Sequence, residues 1–135
     1  MKGYAYEEVF TAEERKLQAR AAKLVAKAPY LFGGSHVRCH ELARAVAKVL
    51  GLKNAVCDGW FGMVEHTWLW TTPHQPLAFL PNVLDVYRPG CHPQVVLVHT
   101  SSTLPFDYRR GDKRKDIDPI VVDRLVAAMT RGNSS

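Results

Sequence analysis

The chain has 135 residues, of which 47% are apolar and 23% are charged. These proportions are typical of a soluble globular domain, and a domain of this length buries roughly two thirds of its surface. They exclude a mainly disordered chain, a collagen-like chain and a disulfide-dense miniprotein. We therefore expect one domain over residues 1–135, with residues 131–135 (RGNSS) as a frayed tail.

The N-terminus and the cysteines indicate the cellular compartment. No apolar run approaches the ~20 residues that span a bilayer, so no membrane partner is expected. The N-terminal stretch MKGYAYEEVFTAEERK lacks the apolar core of a secretory signal. The three cysteines form no CxxC pair, which favours reduced thiols over a disulfide framework. These features predict a cytoplasmic protein.

Positive charge is concentrated in residues 109–115 (RRGDKRK), here called the basic segment. The net charge of the whole chain is +5, and this segment alone contains five basic residues and one acidic residue. Such a run can attract nucleic acid or another anionic partner. A solvated loop is the favoured alternative, because no aromatic residues interleave with the charges. The basic residues concerned are Arg109, Arg110, Lys113, Arg114 and Lys115.

The first predicted helix covers residues 11–28, where apolar residues recur at helical spacing. Thr11 and Glu14 have the spacing of a capping box, and Pro29 ends the helix. A loop follows at residues 30–36 (YLFGGSH), whose adjacent glycines permit an unusual backbone path.

Residues 39–50 (CHELARAVAKVL) form the clearest helix of the sequence, with Gly51 as its C-cap. Cys39 lies in the first turn and belongs to the apolar stripe that faces the core. The other members of the stripe are Leu42, Ala43, Val46, Val49 and Leu50, whereas Glu41, Arg44 and Lys48 lie off it.

The middle of the chain has the two-residue period of β-strands. Four strands are predicted, at residues 54–58, 63–72, 83–88 and 94–100. A last helix begins after Asp118 as N-cap, with Pro119 at its first position. Helices, then antiparallel strands, then a helix predict an α+β domain.

A cysteine at the start of a helix, with a histidine and an aspartate on two later strands, predicts nucleophilic chemistry. Unpaired N–H groups and the helix dipole stabilise negative charge at the first turn, which lowers the pKa of Cys39 there. His66 on a neighbouring strand can form a thiolate–imidazolium pair with it. Asp85 on the next strand can hold the tautomer and orientation of the imidazole. We therefore expect Cys39, His66 and Asp85 to form a catalytic triad.

The segments that carry these residues resemble the catalytic core of transglutaminase-like and papain-like cysteine enzymes. They read RCHELARAVAKVLGL, VEHTWLW and VLDVYRPG, over roughly residues 36–90. In those enzymes a cysteine begins a helix that ends in a Leu-Gly turn, a histidine precedes an aromatic strand, and an aspartate lies on the following strand. Arylamine N-acetyltransferases share this order. The resemblance implies N-terminal helices packed on an antiparallel sheet, a C-terminal helix and no cofactor, with Cys39 as nucleophile, His66 as base and Asp85 as its orienting group.

Each of these residues also has a structural interpretation. Free cysteine is among the most buried residue types, so Cys39 can be a core residue. His66 can be a hydrogen-bonded strand residue, and Asp85 can cap a turn. Zinc is a further alternative, but the available ligands lack a second pair matching His36 and Cys39, and no metal is expected. Those ligands are His36, Cys39, His40, Cys57 and His66.

Aromatic residues near His66 are the candidates for substrate contact. Trp60, Phe61 and Trp68, together with His40, are assigned to this role. The same aromatic spacing is also typical of a core between sheet and helix, and Trp60 and Phe61 are the pair favoured as exposed.

The leading functional hypothesis is a cysteine enzyme that acts on a protein or peptide-like substrate. The Cys39 thiolate attacks an amide, ester or thioester carbonyl, and its backbone N–H is the natural oxyanion donor. The loop 33–38 or His40 supplies a second donor. Water as acceptor gives a protease, amidase or deamidase, which the small size favours, and an amine gives transamidation of the transglutaminase type.

Two other hypotheses use the basic segment. In one, the domain is a catalytically inactive binding module that holds nucleic acid or an acidic partner. In the other, the segment steers an anionic substrate towards the thiol, and its effect declines at high salt.

Overall fold

The computed structural model describes residues 10–29, 31–71, 82–87, 94–99 and 108–131. Its elements are, in chain order, α1 (Ala12–Ala26), β1 (Leu31–Phe32), β2 (Ser35–His36), α2 (Cys39–Leu50), a 3₁₀ turn (Lys53–Ala55), β3 (Val56–Phe61), β4 (Val64–Trp70), β5 (Val83–Asp85), β6 (Val96–Val98), β7 (Tyr108–Arg110) and α3 (Pro119–Thr130). None of the three described helices combines the length and apolar composition that crossing a bilayer requires.

Five strands form one antiparallel sheet in the order β6-β5-β4-β3-β7. Strands β3 to β6 follow one another as a meander, and β7 returns to pair with the other edge of β3. Strands β1 and β2 form a separate hairpin across the two glycines. The predicted α+β class is confirmed.

The sheet carries two apolar clusters. Helices α1, α2 and α3 pack together over Leu69 and Leu84, which form the main core with them. Cys57, Trp68 and Val83 form a smaller cluster, which strand alternation places on the opposite face. Because Leu69 and Trp68 of β4 belong to different clusters, this strand is buried on both of its faces.

Helix α1 confirms the predicted capping box. The Thr11 hydroxyl accepts from the Glu14 N–H at 3.0 Å, and the Glu14 carboxylate accepts from the Thr11 N–H at 2.9 Å. The helix ends at Ala26, slightly before the predicted end. The Glu14 carboxylate also accepts from Thr71 at 2.7 Å and Asn82 at 2.8 Å, so the cap anchors the helix to the sheet.

Helix α2 spans the predicted residues and ends at Gly51 with a left-handed φ of 73°. Glu41, which the helical pattern places off the apolar stripe, is only 2% exposed. Its carboxylate pairs with Arg38 and accepts from the Asp118 N–H at 3.1 Å, so this buried acid joins the start of α2 to the start of α3.

The strand boundaries differ from the sequence prediction at several points. The predicted strand 54–58 is a 3₁₀ turn followed by β3, which continues to Phe61. Strands β4, β5 and β6 lie within the predicted ranges but are shorter. Helix α3 begins at Pro119 with Asp118 as N-cap, as predicted. Of the predicted tail 131–135, residues 132–135 lie outside the described part.

The basic segment is not simply a solvated loop, and this corrects the favoured interpretation. Its first two residues belong to β7, which pairs with β3. Arg114 forms ion pairs with Asp116 and Glu65, and its N–H donates to Asp58 at 3.0 Å. Pairing with an otherwise open strand edge therefore orders much of this segment, whereas Lys113 and Lys115 remain exposed.

The close approach of β7 to β3 depends on Gly59. A methyl group there would lie 2.0 Å from the Arg109 carbonyl oxygen and 2.9 Å from the Gly111 nitrogen. Both contacts are to backbone, so β7 would have to move. We expect Gly59→Ala to lower the free energy of unfolding by about 1–3 kcal/mol in urea titrations.

The matched control for this substitution is Met63→Ala in the β3–β4 turn, where the side chain is 90% exposed. Its expected effect is within about 0.5 kcal/mol. If Gly59→Ala were as stable as this control, the close β3–β7 contact would not exist in solution.

Candidate active site

Cys39 is the first residue of α2 and a partly exposed free thiol. Arg38 occupies the N-cap position with extended backbone, and its side chain makes no capping hydrogen bond. The N–H groups of the first turn are therefore not capped by that side chain, and they place partial positive charge beside the sulfur. This location favours the thiolate form.

His66 and Asp85 form a buried pair on neighbouring strands. Their side chains are 1% and 0% exposed, and His66 Nε2 lies 2.9 Å and 2.8 Å from the two Asp85 oxygens. A carboxylate only accepts hydrogen bonds, so Nε2 carries the hydrogen. The other ring nitrogen, Nδ1, is left to exchange a proton with a reacting group.

Asp85 is held by two further donors. The Tyr108 hydroxyl donates to Oδ2 at 2.7 Å, and the Tyr87 N–H donates to Oδ1 at 3.1 Å. Tyr108 comes from β7, the strand that sequence analysis missed. Its phenol orients the carboxylate that in turn orients His66, and no local sequence pattern indicates this contact.

Cys39 and His66 lie close enough for each to shift the ionisation of the other. Burial opposes ionisation of the Cys39 thiol, but hydrogen bonds from His40 and His66 outweigh it and lower the pKa of the thiol to about 6. Burial favours the neutral His66 ring, but hydrogen bonds to Asp85 and Cys39 prevail and raise its pKa to about 9. Between these two pH values, thiolate and imidazolium coexist.

A second histidine lies against the same sulfur. His40 Nδ1 is 3.6 Å from Cys39 Sγ and 2.7 Å from Thr67 Oγ1. Consecutive residues of α2, Cys39 and His40, thus meet consecutive residues of β4, His66 and Thr67. His40 is only 7% exposed, so its assignment as a substrate-contacting side chain is corrected: the ring is occupied within the protein.

The aromatic residues assigned to substrate contact have separate surroundings. Trp68 is fully buried beside the His66 ring, with centroids 6.2 Å apart, so it offers no surface to a substrate and that assignment is wrong. Phe61 is half-buried and packs edge-on against His66 and Tyr108. Trp60 is 36% exposed beneath the Arg109 guanidinium, and its substrate contact stays a prediction.

Two of the five residues weighed as zinc ligands lie away from the thiol. His36 is exposed on β2, whereas Cys57 is buried in the Trp68 cluster. Within the described ranges, no three His, Cys, Asp or Glu side chains are grouped to hold a metal ion. Cysteine and histidine in this site are instead hydrogen-bonded to each other.

Comparison with known proteins adds no relative. No protein-family model matches the sequence, and no curated protein and no solved structure is significantly similar to it. The site must therefore be interpreted from its own geometry, and the resemblance to transglutaminase-like and papain-like enzymes stays a prediction from three short motifs.

Proposed function

We propose that this protein is a cysteine-dependent acyl-transfer enzyme that hydrolyses an amide or peptide bond. The observation that carries the proposal is the buried His66–Asp85 pair beside the Cys39 thiol, with the sulfur at a helix N-terminus. A buried histidine that is held by a carboxylate beside a partly exposed thiol can activate the nucleophile and return its proton.

The first half of the reaction forms an acyl-enzyme. The Cys39 thiolate attacks the carbonyl carbon, and the carbonyl π-electrons move to oxygen, where the N–H groups at the start of α2 stabilise the charge. When the oxyanion collapses, the carbon–nitrogen bond breaks. The His66 imidazolium gives its Nδ1 proton to the departing amine, leaving a thioester on Cys39 and a neutral ring.

The second half releases the acyl group. Neutral His66 removes a proton from water, and the water oxygen attacks the thioester carbon. Collapse of this intermediate expels the Cys39 thiolate and produces a carboxylic acid, with the imidazolium restored. An amine in place of water would give transamidation on the same three residues, and the identity of the product distinguishes the two outcomes.

The proposed family is a transglutaminase-like or papain-like cysteine enzyme. The order of elements supports it, because the cysteine begins a helix, the histidine lies on a strand of the sheet, and the aspartate ends the adjacent strand. The proposed substrate is a protein or a peptide-like amide. Hydrolysis of its amide bond by a thiol nucleophile requires no cofactor.

The decisive experiment detects the acyl-enzyme. The protein is incubated with a panel of short acyl thioesters and activated peptide esters, and its intact mass and Cys39-containing peptide are measured. We expect an acyl adduct on Cys39 that turns over in water and is absent in Cys39→Ser. The buried thiol of Cys57 provides the matched control, since Cys57→Ser should still be acylated. Failure to acylate Cys39 in the folded wild-type protein would overturn the proposal.

A second proposed function, binding of an anionic ligand, is favoured by a cavity of about 720 Å³. No triad residue lines it, so it does not depend on the thiol. Its charged lining residues are Arg44, Lys48, Lys53, Arg110, Lys113, Asp58 and Asp123. Cations outnumber carboxylates, which favours a ligand with phosphate groups.

Salt dependence tests this second function. We expect an oligophosphate to bind with an affinity that falls steeply between 50 mM and 200 mM salt, and Lys53→Glu with Lys113→Glu to abolish binding. Lys16→Glu with Lys23→Glu, at two exposed positions of α1 outside the cavity lining, is the matched charge control. Binding that neither salt nor the double charge reversal weakens would exclude the cavity as the site.

A further inference from the structure

His40 is fixed by contacts on both its ring and its backbone. Its ring nitrogen Nδ1 lies 2.7 Å from the Thr67 hydroxyl, and its carbonyl accepts from Arg44 at 3.1 Å. Arg44 also forms a two-point ion pair with Asp58, whose side chain is buried. Asp58 and Thr67 are direct partners across β3 and β4. Rotation of the ring would break its contact with Thr67, whose hydroxyl is itself held by Asp58.

The direction of the hydrogen bonds follows from the carboxylate. Burial opposes ionisation of Asp58, but contacts from Arg44, the Arg114 N–H and Thr67 prevail and lower the pKa of the carboxyl. An ionised Asp58 only accepts, so the single hydrogen of the Thr67 hydroxyl is donated to Oδ1, 2.7 Å away. Thr67 Oγ1 must then accept from His40, and His40 Nδ1 carries a hydrogen.

That hydrogen lies next to the reacting sulfur. His40 Nδ1 is 3.6 Å from Cys39 Sγ, so its N–H is shared between the Thr67 oxygen and the sulfur. We propose that His40 is a second histidine of the catalytic site, a fixed donor that stabilises the Cys39 thiolate, and that Thr67 and Asp58 are positioning residues that fix its tautomer. This inference rests on the proposed function and deepens it.

The two histidines thus have different tasks. His66 has its Nε2–H on Asp85 and uses its other nitrogen to move a proton. His40 has its Nδ1–H held between two acceptors and keeps it throughout the reaction. The effect of the His40 contact on the Cys39 thiol agrees with this division, because it acts against burial and lowers the pKa.

Two pairs of variants test the proposal. His40→Leu removes the donor, whereas His40→Asn can keep an N–H near the Nδ1 position. Thr67→Val removes the hydroxyl that fixes the tautomer, whereas Thr67→Ser retains it. The readout is the pH dependence of iodoacetamide alkylation of Cys39, located by peptide mass.

We expect His40→Leu to raise the pKa of the Cys39 thiol by about one unit, so that alkylation at pH 6 slows several-fold. Thr67→Val should shift the pKa in the same direction, whereas His40→Asn and Thr67→Ser should remain near wild type. If His40→Leu unfolds the domain, the Thr67 pair decides. Equal pKa values in the paired variants would overturn the proposal.

The same experiment separates this inference from the proposed function. If the wild-type protein forms the acyl-enzyme but substitutions at His40 and Thr67 leave the pKa of the thiol unchanged, the proposed function stands and the role of His40 is excluded. If the pKa of the thiol depends on His40 but no probe acylates Cys39, the role of His40 in ionisation stands and the proposed enzymatic function is excluded.

Discussion

Replacement of His66 by alanine is expected to slow acylation of Cys39 at pH 7 by about 10³-fold. Two losses combine. Burial raises the pKa of the Cys39 thiol, and without His66 fewer hydrogen bonds oppose that effect. The pKa of the thiol therefore rises from about 6 towards or beyond its ordinary value of 9.0. The departing group also loses its proton donor, because the His66 imidazolium protonates it in the proposed mechanism.

The measurement is the rate of acyl-enzyme formation, followed by intact mass with the most reactive probe. His36→Ala is the control, because His36 is an exposed histidine on β2. It should react at the wild-type rate. If His66→Ala reacted as fast as His36→Ala, His66 would have no part in the chemistry.

The second large effect is expected on stability. Arg44→Met leaves the Asp58 carboxylate buried without its cationic partner, and the side chain of Asp58 is only 3% exposed. Breaking a buried pair on one side costs about 3–5 kcal/mol in the free energy of unfolding. Asp58 also positions Thr67, so the loss extends to the surroundings of the thiol.

Lys48→Met is the matched control on the same helix. Lys48 pairs with Asp123, but the two side chains are 60% and 71% exposed, so its removal should cost less than about 1 kcal/mol. Urea unfolding measures both variants. An Arg44→Met protein no less stable than Lys48→Met would show that the buried pair does not support the fold.

The pH dependence of the Arg44 effect follows from Asp58. Its folded-state pKa lies below the ordinary value of 3.8, so the ion pair stabilises the fold above that pH and loses this contribution as the pH falls further. The difference between wild type and Arg44→Met should therefore shrink in acid.

Local signals predicted the helices well. The capping box of Thr11 and Glu14, the left-handed Gly51 and the Asp118–Pro119 start each require only neighbouring residues. Such features can be recognised from sequence because the interactions that determine them lie within one turn. The predicted end of α1 at residue 28 was less accurate, because the helix ends at Ala26, before the residue next to Pro29.

Long-range contacts account for what the sequence did not predict. Strand β7 depends on pairing with β3 some fifty residues earlier in the chain (Trp60 opposite Arg109), which no local periodicity indicates. Glu41 accepts from the Asp118 N–H at the start of α3, and Asp58 on β3 pairs with Arg44 on α2. A pattern that assigns charged residues to the surface cannot detect such pairs.

The candidate site contains both features that the sequence predicts and contacts that it does not. The order of Cys39, His66 and Asp85 along the chain was sufficient to propose the triad, and the structure brings the three side chains together. Tyr108 and Asp58 were missed, because their contacts depend on the register and pairing of strands. Trp68 was misassigned, since alternation along a strand does not reveal whether its face is covered.

The most direct test of the central claim is the pH profile of iodoacetamide alkylation of Cys39 in the folded wild-type protein. We expect the rate to rise with an apparent pKa of about 6 and to stay high through neutral pH. A rate that rises only near the ordinary thiol pKa of 9.0, or only after denaturation, would show that Cys39 is a core residue. That result would contradict the proposed enzyme.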